Sequence, residues 1–249
     1  MTPGEMVSRL LYRDGLMLVI DKPAGFAVHR GPKGGESLED HFDALRFGLP
    51  RSPALAHRLD RDTSGCLVLG RHRQALASLG KLFKYGAVEK AYWAVVEGAP
   101  DGDEGTIALP LGRLDEARGW WMKHDPNGQP AVTMWKVRGR SSVGNSAWLA
   151  LEPVTGRTHQ LRVHCAEMGW PIVGDAIYGT APRTGGTILH LHAREVIVPL
   201  YKNRAPIGVV APVAPHMRAA LMQCGWKGEE APPEPSLRGP SESEGARNP

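Results

Sequence analysis

What most constrains this chain is the way its apolar segments follow one another. Short runs with strand character succeed each other, and few helical stretches separate them. Residues 16–20 form an apolar run closed by Asp21-Lys22-Pro23-Ala24-Gly25, which reads as a turn. Residues 67–69 follow Gly65 as a buried strand, residues 92–96 and 107–111 give two more, and residues 131–137 and 147–151 look like a strand pair. Residues 188–198 alternate enough for another strand or two. Helical spacing is limited to a few places. Residues 74–85 carry Leu76, Leu79, Leu82 and Phe83, and Gly86 can end that helix. Residues 158–168 form a second, stopped by Gly169, and residues 216–224 a short third after Pro215. Ser37, with Asp40 as a weak capping box, opens a further helix of about ten residues. Strands outnumber helices, which predicts an α+β fold: a mixed, largely antiparallel sheet with helices packed around it, rather than a doubly wound one.

Several function classes drop out early. The longest apolar runs fall short of the 18 or so residues that a membrane span requires, and residues 1–5 lack the layout of a secretory signal. Cys66, Cys165 and Cys224 are far apart and form no CxxC pair, which points away from zinc and disulfides and toward a reducing cytoplasm. His159 and His164 are five apart, off a common helical face, so no metal site is expected. Gly31-Pro32-Lys33-Gly34-Gly35 is glycine-rich but fits neither a P-loop nor a dinucleotide fingerprint, and no cofactor is expected. Net charge is +4 over 249 residues, and it is unevenly spread. Residues 228–249 hold five acidic residues against Arg238 and Arg247, a balance of −3, which leaves +7 on the rest. A basic body favours a polyanionic partner. The final segment is rich in Pro, Glu, Ser and Gly, and reads as a disordered tail.

Three clusters can carry chemistry. His57-Arg58-Leu59-Asp60-Arg61-Asp62-Thr63-Ser64-Gly65 packs two carboxylates, two guanidiniums, an imidazole and two hydroxyls into a loop ahead of a strand. A salt-bridged surface turn would have the same composition. Thr155 to His164 opens the second predicted helix, with Arg162 one turn inside it and able to project toward a carboxylate. Glu89 to Val96 alternates, so Lys90, Tyr92 and Ala94 share one face, placing an ammonium beside a phenol.

These residues resemble a known family. The first cluster is similar to the HRLD-x-x-TSG signature of RluA-type pseudouridine synthases. Residues 156–164 (Gly-Arg-Thr-His-Gln-Leu-Arg-Val-His) resemble that family's later G-R-x-H-Q-[IL]-R-V-H motif. Gly169-Trp170-Pro171-Ile172-Val173-Gly174-Asp175, with Tyr178-Gly179, is similar to its G-x-P-[IL]-x-G-D-x-x-Y-G. Lys90-Ala91-Tyr92, the early Asp21-Lys22-Pro23-Ala24-Gly25 and the late Leu189-His190-Leu191-His192-Ala193 also match in order. Cys66, where aliphatic residues are usual, and the glycine-rich stretch near Gly31 depart from the pattern.

The resemblance implies a pseudouridine synthase fold, with the sheet in two halves and a catalytic cleft across its middle. It implies a short extension over residues 1–10, a catalytic domain over 11–227 and the acidic tail over 228–249, with no S4-type module. It implies isomerisation of uridine to pseudouridine in structured RNA, transfer RNA or large-subunit ribosomal RNA or both, by a cytoplasmic monomer with no membrane partner. That reaction breaks N1–C1′ and joins C5 to C1′ at constant oxidation state, so it needs no hydride carrier. A carboxylate can act on an electron-poor carbon as nucleophile or take a proton from the sugar, and by resemblance it is Asp60.

Arg162 is the motif-matched cation expected to pair bidentately with Asp60, and Tyr92 the aromatic face and phenol. The uridine must be flipped out of its stack. Arg58 can fill the vacated space, and Arg61, Arg71, Arg73, Lys81 and Lys84 can line a phosphate path. His57, Thr63, Ser64, Lys90, His159 and Gln160 complete the expected RNA-contacting set. Two other classes keep the same residues: an RNA-binding protein without catalysis, and a hydrolase using Asp60 and His57. The first has no need of Asp60, Tyr92 and Arg162 together, and the second would lose the base from RNA.

Overall fold

The computed structural model describes residues 1–31, 34–115 and 121–228. Pro32 and Lys33 of the glycine-rich stretch, and the acidic tail after Gly228, lie outside the described residues. The chain runs through α1 (Pro3–Ser8), β1 (Leu10–Arg13), β2 (Met17–Lys22), a 3₁₀ helix (Leu38–Leu45), β3 (Ala54–Leu55), β4 (Ser64–Gly70), α2 (Arg73–Lys84) and β5 (Glu89–Glu97). It continues with β6 (Glu104–Ala108), β7 (Leu111–Arg113), β8 (Met122–His124), β9 (Val132–Arg140), β10 (Ser146–Pro153) and α3 (Gln160–Glu167). It ends with β11 (Leu191–Val198), β12 (Ile207–Val210), a 3₁₀ turn (Pro215–Met217) and α4 (Arg218–Gln223).

The main sheet has the order β1-β2-β4-β11-β5-β10-β9-β6, with β3 on β4 and β12 on β11, while β7 and β8 pair separately. The expected α+β architecture holds. Pairing is antiparallel throughout these ladders except between β4 and β11, where Ser64 faces His192 and Gly65 faces Ala193. This short parallel seam joins β1-β2-β3-β4 to the strands from β11 onward. Ala193 also pairs with Tyr92, so Gly65, Ala193 and Tyr92 lie in a row across β4, β11 and β5.

Local sequence explains most elements. β4 is buried along its whole length, as its uninterrupted Ser-Gly-Cys-Leu-Val-Leu-Gly requires of a strand covered on both faces. On β5, alternation sends Tyr92, Ala94 and Val96 into the larger core and Trp93 and Val95 into a second core closed by α4. Three expectations need correction. The segment after Ser37 is a 3₁₀ helix of eight residues, although Asp40 does accept from the Ser37 backbone and hydroxyl (2.8 and 3.0 Å). The predicted strand over 107–111 breaks at Leu109-Pro110, since proline has no N–H to donate, and β7 leaves for the separate hairpin. The helix expected over 158–168 starts only at Gln160, because His159 stands in the left-handed region at φ +53°.

Candidate active site

The loop that carries Asp60 is held from below by Lys22, at the end of β2. Lys22 is fully buried, and its ammonium donates to the carbonyls of Pro23, Arg61 and Thr63, each at 2.8 Å. Burial pushes its pKa down to about 7, while the carboxylates of Asp62 and Asp60 oppose that shift. Three carbonyl acceptors call for three N–H donors, which only the ammonium form has. Two of the three carbonyls, those of Arg61 and Thr63, follow Asp60 directly in the loop. The loop also bonds to itself, Thr63 N–H to Asp60 carbonyl at 3.2 Å.

Beyond the loop the chain enters β4 through Gly65, at φ +102°, where a Cβ would lie 2.2 Å from the Ala193 carbonyl oxygen. Glycine is required there on both counts: the backbone region and the approach of β11. Ser64 Oγ is hydrogen-bonded to His192 Nδ1 at 2.9 Å, tying the loop's end across the parallel seam.

Arg162 projects from the first turn of α3 toward the same place, 4% exposed. Its expected bidentate partner is not Asp60. Nε donates to Asp175 Oδ2 and Nη2 to Oδ1, both at 2.7 Å, and Asp175 is 1% exposed. Asp175 also accepts from the backbone N–H of Ile177 and Tyr178. Burial works against its charge, and the bonds from Arg162 outweigh it, holding the carboxyl below its ordinary range. Asp60 instead lies 3.9 Å from the remaining Nη1 and 3.8 Å from His159 Nε2, both measured to its Oδ2, with its side chain 27% exposed. Arg162 is therefore a cation fixed by a buried carboxylate, and its remaining Nη1 donates to His159 Nε2 at 3.5 Å while facing the accessible Asp60. Sequence reasoning quoted Asp175 and Tyr178 in a motif without assigning them to the site; a buried-type motif carboxylate thirteen residues beyond Arg162 was the available signal.

Tyr92 is buried, and both burial and the Asp60 carboxylate raise its phenol well above the ordinary range, so it stays protonated. His159 Nδ1 lies 2.7 Å from Tyr178 Oη, which accepts the Met122 N–H at 2.9 Å, and the Arg162 guanidinium lies over the Tyr178 ring.

The other expected RNA contacts divide. Arg58 and Arg61 are exposed; Arg58 Nη1 is 3.4 Å from His29 Nε2, and Arg61 Nε donates to the Gly25 carbonyl. His57 turns inward: its Nε2 accepts the Val68 N–H at 3.0 Å, its ring stacks on Phe83, and burial, with Lys90 nearby, pushes its pKa down to about 3. Gln160 is buried and satisfied by Thr155, the Arg157 N–H, the Val132 carbonyl and Thr133, which fastens the start of α3 to β9. Thr63 and Ser64 are buried, and Lys90 is half-buried on β5. The geometry thus gives His57, Thr63, Ser64 and Gln160 internal partners and leaves Arg58 and Arg61 facing solvent. Among the described residues, no group of three or more His, Cys, Asp or Glu side chains is arranged to hold a metal ion, and no helix is long and apolar enough to cross a membrane. All three cysteines are free and buried.

The comparisons with known proteins agree with one another. Residues 16–167 match the model of a family described as RNA pseudouridylate synthase. An uncharacterized RNA pseudouridine synthase of Zymomonas mobilis is 42% identical over 84% of this chain and 94% of its own length. Ribosomal large subunit pseudouridine synthase C of Vibrio cholerae is 34% identical over 88% of this chain and 70% of its own. Among solved structures, human RNA pseudouridylate synthase domain containing 4 superimposes with a TM-score of 0.73 at 28% identity, covering 89% of this chain and 95% of that one.

Proposed function

Because this chain belongs to the RNA pseudouridylate synthase family, of RluA type, we propose that Asp60 is the carboxylate of its reaction, with Arg162 and Tyr92 as its partners. The activity that comes with the family is the isomerisation of uridine in RNA to pseudouridine. The observation that carries the assignment is the accessible Asp60 carboxylate facing Nη1 of a guanidinium that Asp175 already holds. A pre-fixed cation needs no reorganisation when charge develops or moves on the carboxylate. Tyr92 offers a neutral phenol and a ring face at the row that joins β4 to β5. Lys22 fixes the loop from which Asp60 acts. Arg58, exposed two residues before Asp60, fills the space left by the flipped uridine.

The finer readings are proposals of the same kind. The RNA is structured: large-subunit ribosomal RNA, transfer RNA or both, with the name of the Vibrio relative favouring the first. The protein acts as a monomer in the cytoplasm, where its free cysteines stay reduced. Residues 11–227 form the catalytic domain, and the acidic segment after it takes no part in the chemistry.

The test is Asp60→Asn. Isomerisation should vanish while affinity for RNA stays within about tenfold, since phosphate contacts dominate binding. Pseudouridine formation is read by carbodiimide-dependent primer-extension stops on RNA from a strain lacking the gene. Substantial turnover by the purified variant would sink the assignment, and the same mapping identifies the RNA.

A further inference from the structure

The end of α2 sets a large aromatic ring in solvent. Tyr85, the residue that caps the helix, is 76% exposed, and among the described residues no other Phe, Tyr or Trp is exposed. Its surroundings are basic. The twelve residues of α2 include no Asp or Glu, and Lys81, Lys84 and Tyr85 share one face at the spacing i, i+3, i+4. Lys84 Nζ lies 5.7 Å from the centroid of the Tyr85 ring. Lysines in a last turn are accounted for by the helix dipole. A ring left in water has no such local reason, because an aromatic side chain gains by being covered.

The ring stands at one end of a strip that leads to the proposed cleft. A Cβ at Gly86 would lie 3.9 Å from the Val154 carbonyl oxygen, and the Val154 side chain is itself exposed. Two residues on, a Cβ at Gly156 would lie 3.9 Å from Lys90 Nζ. Lys90 shares a face of β5 with Tyr92. Arg157, next to Gly156, is exposed and steadied by its Nε bond to the Pro130 carbonyl at 3.0 Å. On its inner side the last turn of α2 is packed against the catalytic loop, where Phe83 stacks on His57 three residues before Asp60.

We propose that Tyr85 is a stacking platform for an unpaired base of the substrate RNA, a few nucleotides from the uridine that enters the cleft, with Lys84 and Lys81 beside its phosphates. The inference rests on RNA as the substrate and does not depend on the role of Asp60. Seven residues separate Tyr85 from Tyr92, so the two lie at most about 25 Å apart. With Lys84 over one face of the ring, the other face is open to a base. Flipping a uridine out of its stack leaves its neighbours without a partner, and an aromatic ring beside the strand supplies one. The chemistry of the patch favours RNA over protein. Protein interface cores are depleted in lysine, whereas sites for single-stranded nucleic acid combine cations with aromatic rings and accept any base.

The test uses two labelled probes, a 12-nucleotide oligouridylate and an abasic ribose-phosphate oligomer of the same length. Equilibrium binding of both is measured across a salt series for the parent, Tyr85→Ala, Tyr85→Trp and Lys84→Ala, with melting temperatures alongside. Tyr85→Ala should weaken oligouridylate binding about fivefold or more, the order associated with losing one stacked base, and leave the abasic oligomer within about twofold. Tyr85→Trp should bind both probes like the parent. Lys84→Ala should weaken both and reduce the slope of log affinity against log salt by about 0.7. Melting temperatures should be unchanged, since Tyr85 and Lys84 are exposed. In single-turnover assays on RNA from a strain lacking the gene, Tyr85→Ala should raise the enzyme concentration for half-maximal rate and leave the maximal rate alone.

Unchanged oligouridylate binding by Tyr85→Ala overturns the proposal and leaves the patch to a protein partner, and absence of binding by the parent at low salt overturns it as well. Equal weakening of both probes by Tyr85→Ala also overturns it, because the ring would then act through charge or fold. So does a Tyr85→Trp variant as weak as Tyr85→Ala. Turnover by Asp60→Asn would strike the assignment of the reacting carboxylate and leave these binding results standing.

Discussion

Asp175→Asn separates the buried carboxylate from the accessible one. Asp175 and Arg162 are 1% and 4% exposed and share two bonds of 2.7 Å. Breaking a buried pair by removing one partner leaves a desolvated charge and costs about 3–5 kcal/mol. Asparagine keeps one oxygen for one of the two donors, so the lower end, about 3 kcal/mol, is expected. For a chain of this size that corresponds to a fall of about 6–12 °C in melting temperature. Asp60→Asn should differ sharply. Its carboxylate is 27% exposed and 3.9 Å from the nearest guanidinium nitrogen, so its loss should change stability by no more than about 1 kcal/mol.

The assay is urea unfolding followed by tryptophan fluorescence on the two variants and the parent. Equal costs for the two variants, or a cost below about 1 kcal/mol for Asp175→Asn, would refute the claim that Arg162 is anchored by Asp175. The pH dependence gives a second check. A carboxyl whose folded pKa is depressed contributes stability that is fully present above its unfolded value, near 3.8, and is lost as pH falls through the folded value. The gap between parent and Asp175→Asn should therefore be constant above about pH 5 and close on further acidification.

Arg162→Lys should lower the single-turnover rate by at least about 10²-fold, because an ammonium cannot bind Asp175 through two parallel bonds and still face Asp60; a near-normal rate would reduce Arg162 to a helix residue. Lys22→Met should cost at least about 2 kcal/mol in urea unfolding, since it leaves the carbonyls of Pro23, Arg61 and Thr63 without their donor, and it should slow turnover by loosening the Asp60 loop. Unchanged stability would mean that those carbonyls find other donors. Gly65→Ala should cost about 3 kcal/mol or more, or prevent folding, from positive φ and the collision with the Ala193 carbonyl together; a crystal structure or melting curve like the parent's would show that the seam between β4 and β11 can yield.

Much of this molecule is decided by patterns a few residues long. The apolar run before Asp21, the uninterrupted apolar character of β4, the alternation of β5 and the helical spacing of α2 each follow from local stereochemistry, and they suffice for an α+β sheet fold. The cluster around Asp60 is local too, and so is the face that Tyr92 shares with Lys90. What each polar side chain does there is another matter, because its partner is chosen by strand order and not by sequence distance. His57 looks like Asp60's neighbour in a reactive loop, yet it accepts the Val68 N–H and stacks on Phe83. Ser64 finds its partner His192 across 128 residues, where the parallel seam brings β11 beside β4. Lys22 reaches Thr63 across 41. Arg162 carries one charge and one planar fork, and sequence offers it several carboxylates. Only the packed structure decides that the fork closes on Asp175, because a desolvated guanidinium needs a carboxylate enclosed with it to offset the cost of burial, and Asp60 stays accessible at 3.9 Å from the remaining nitrogen.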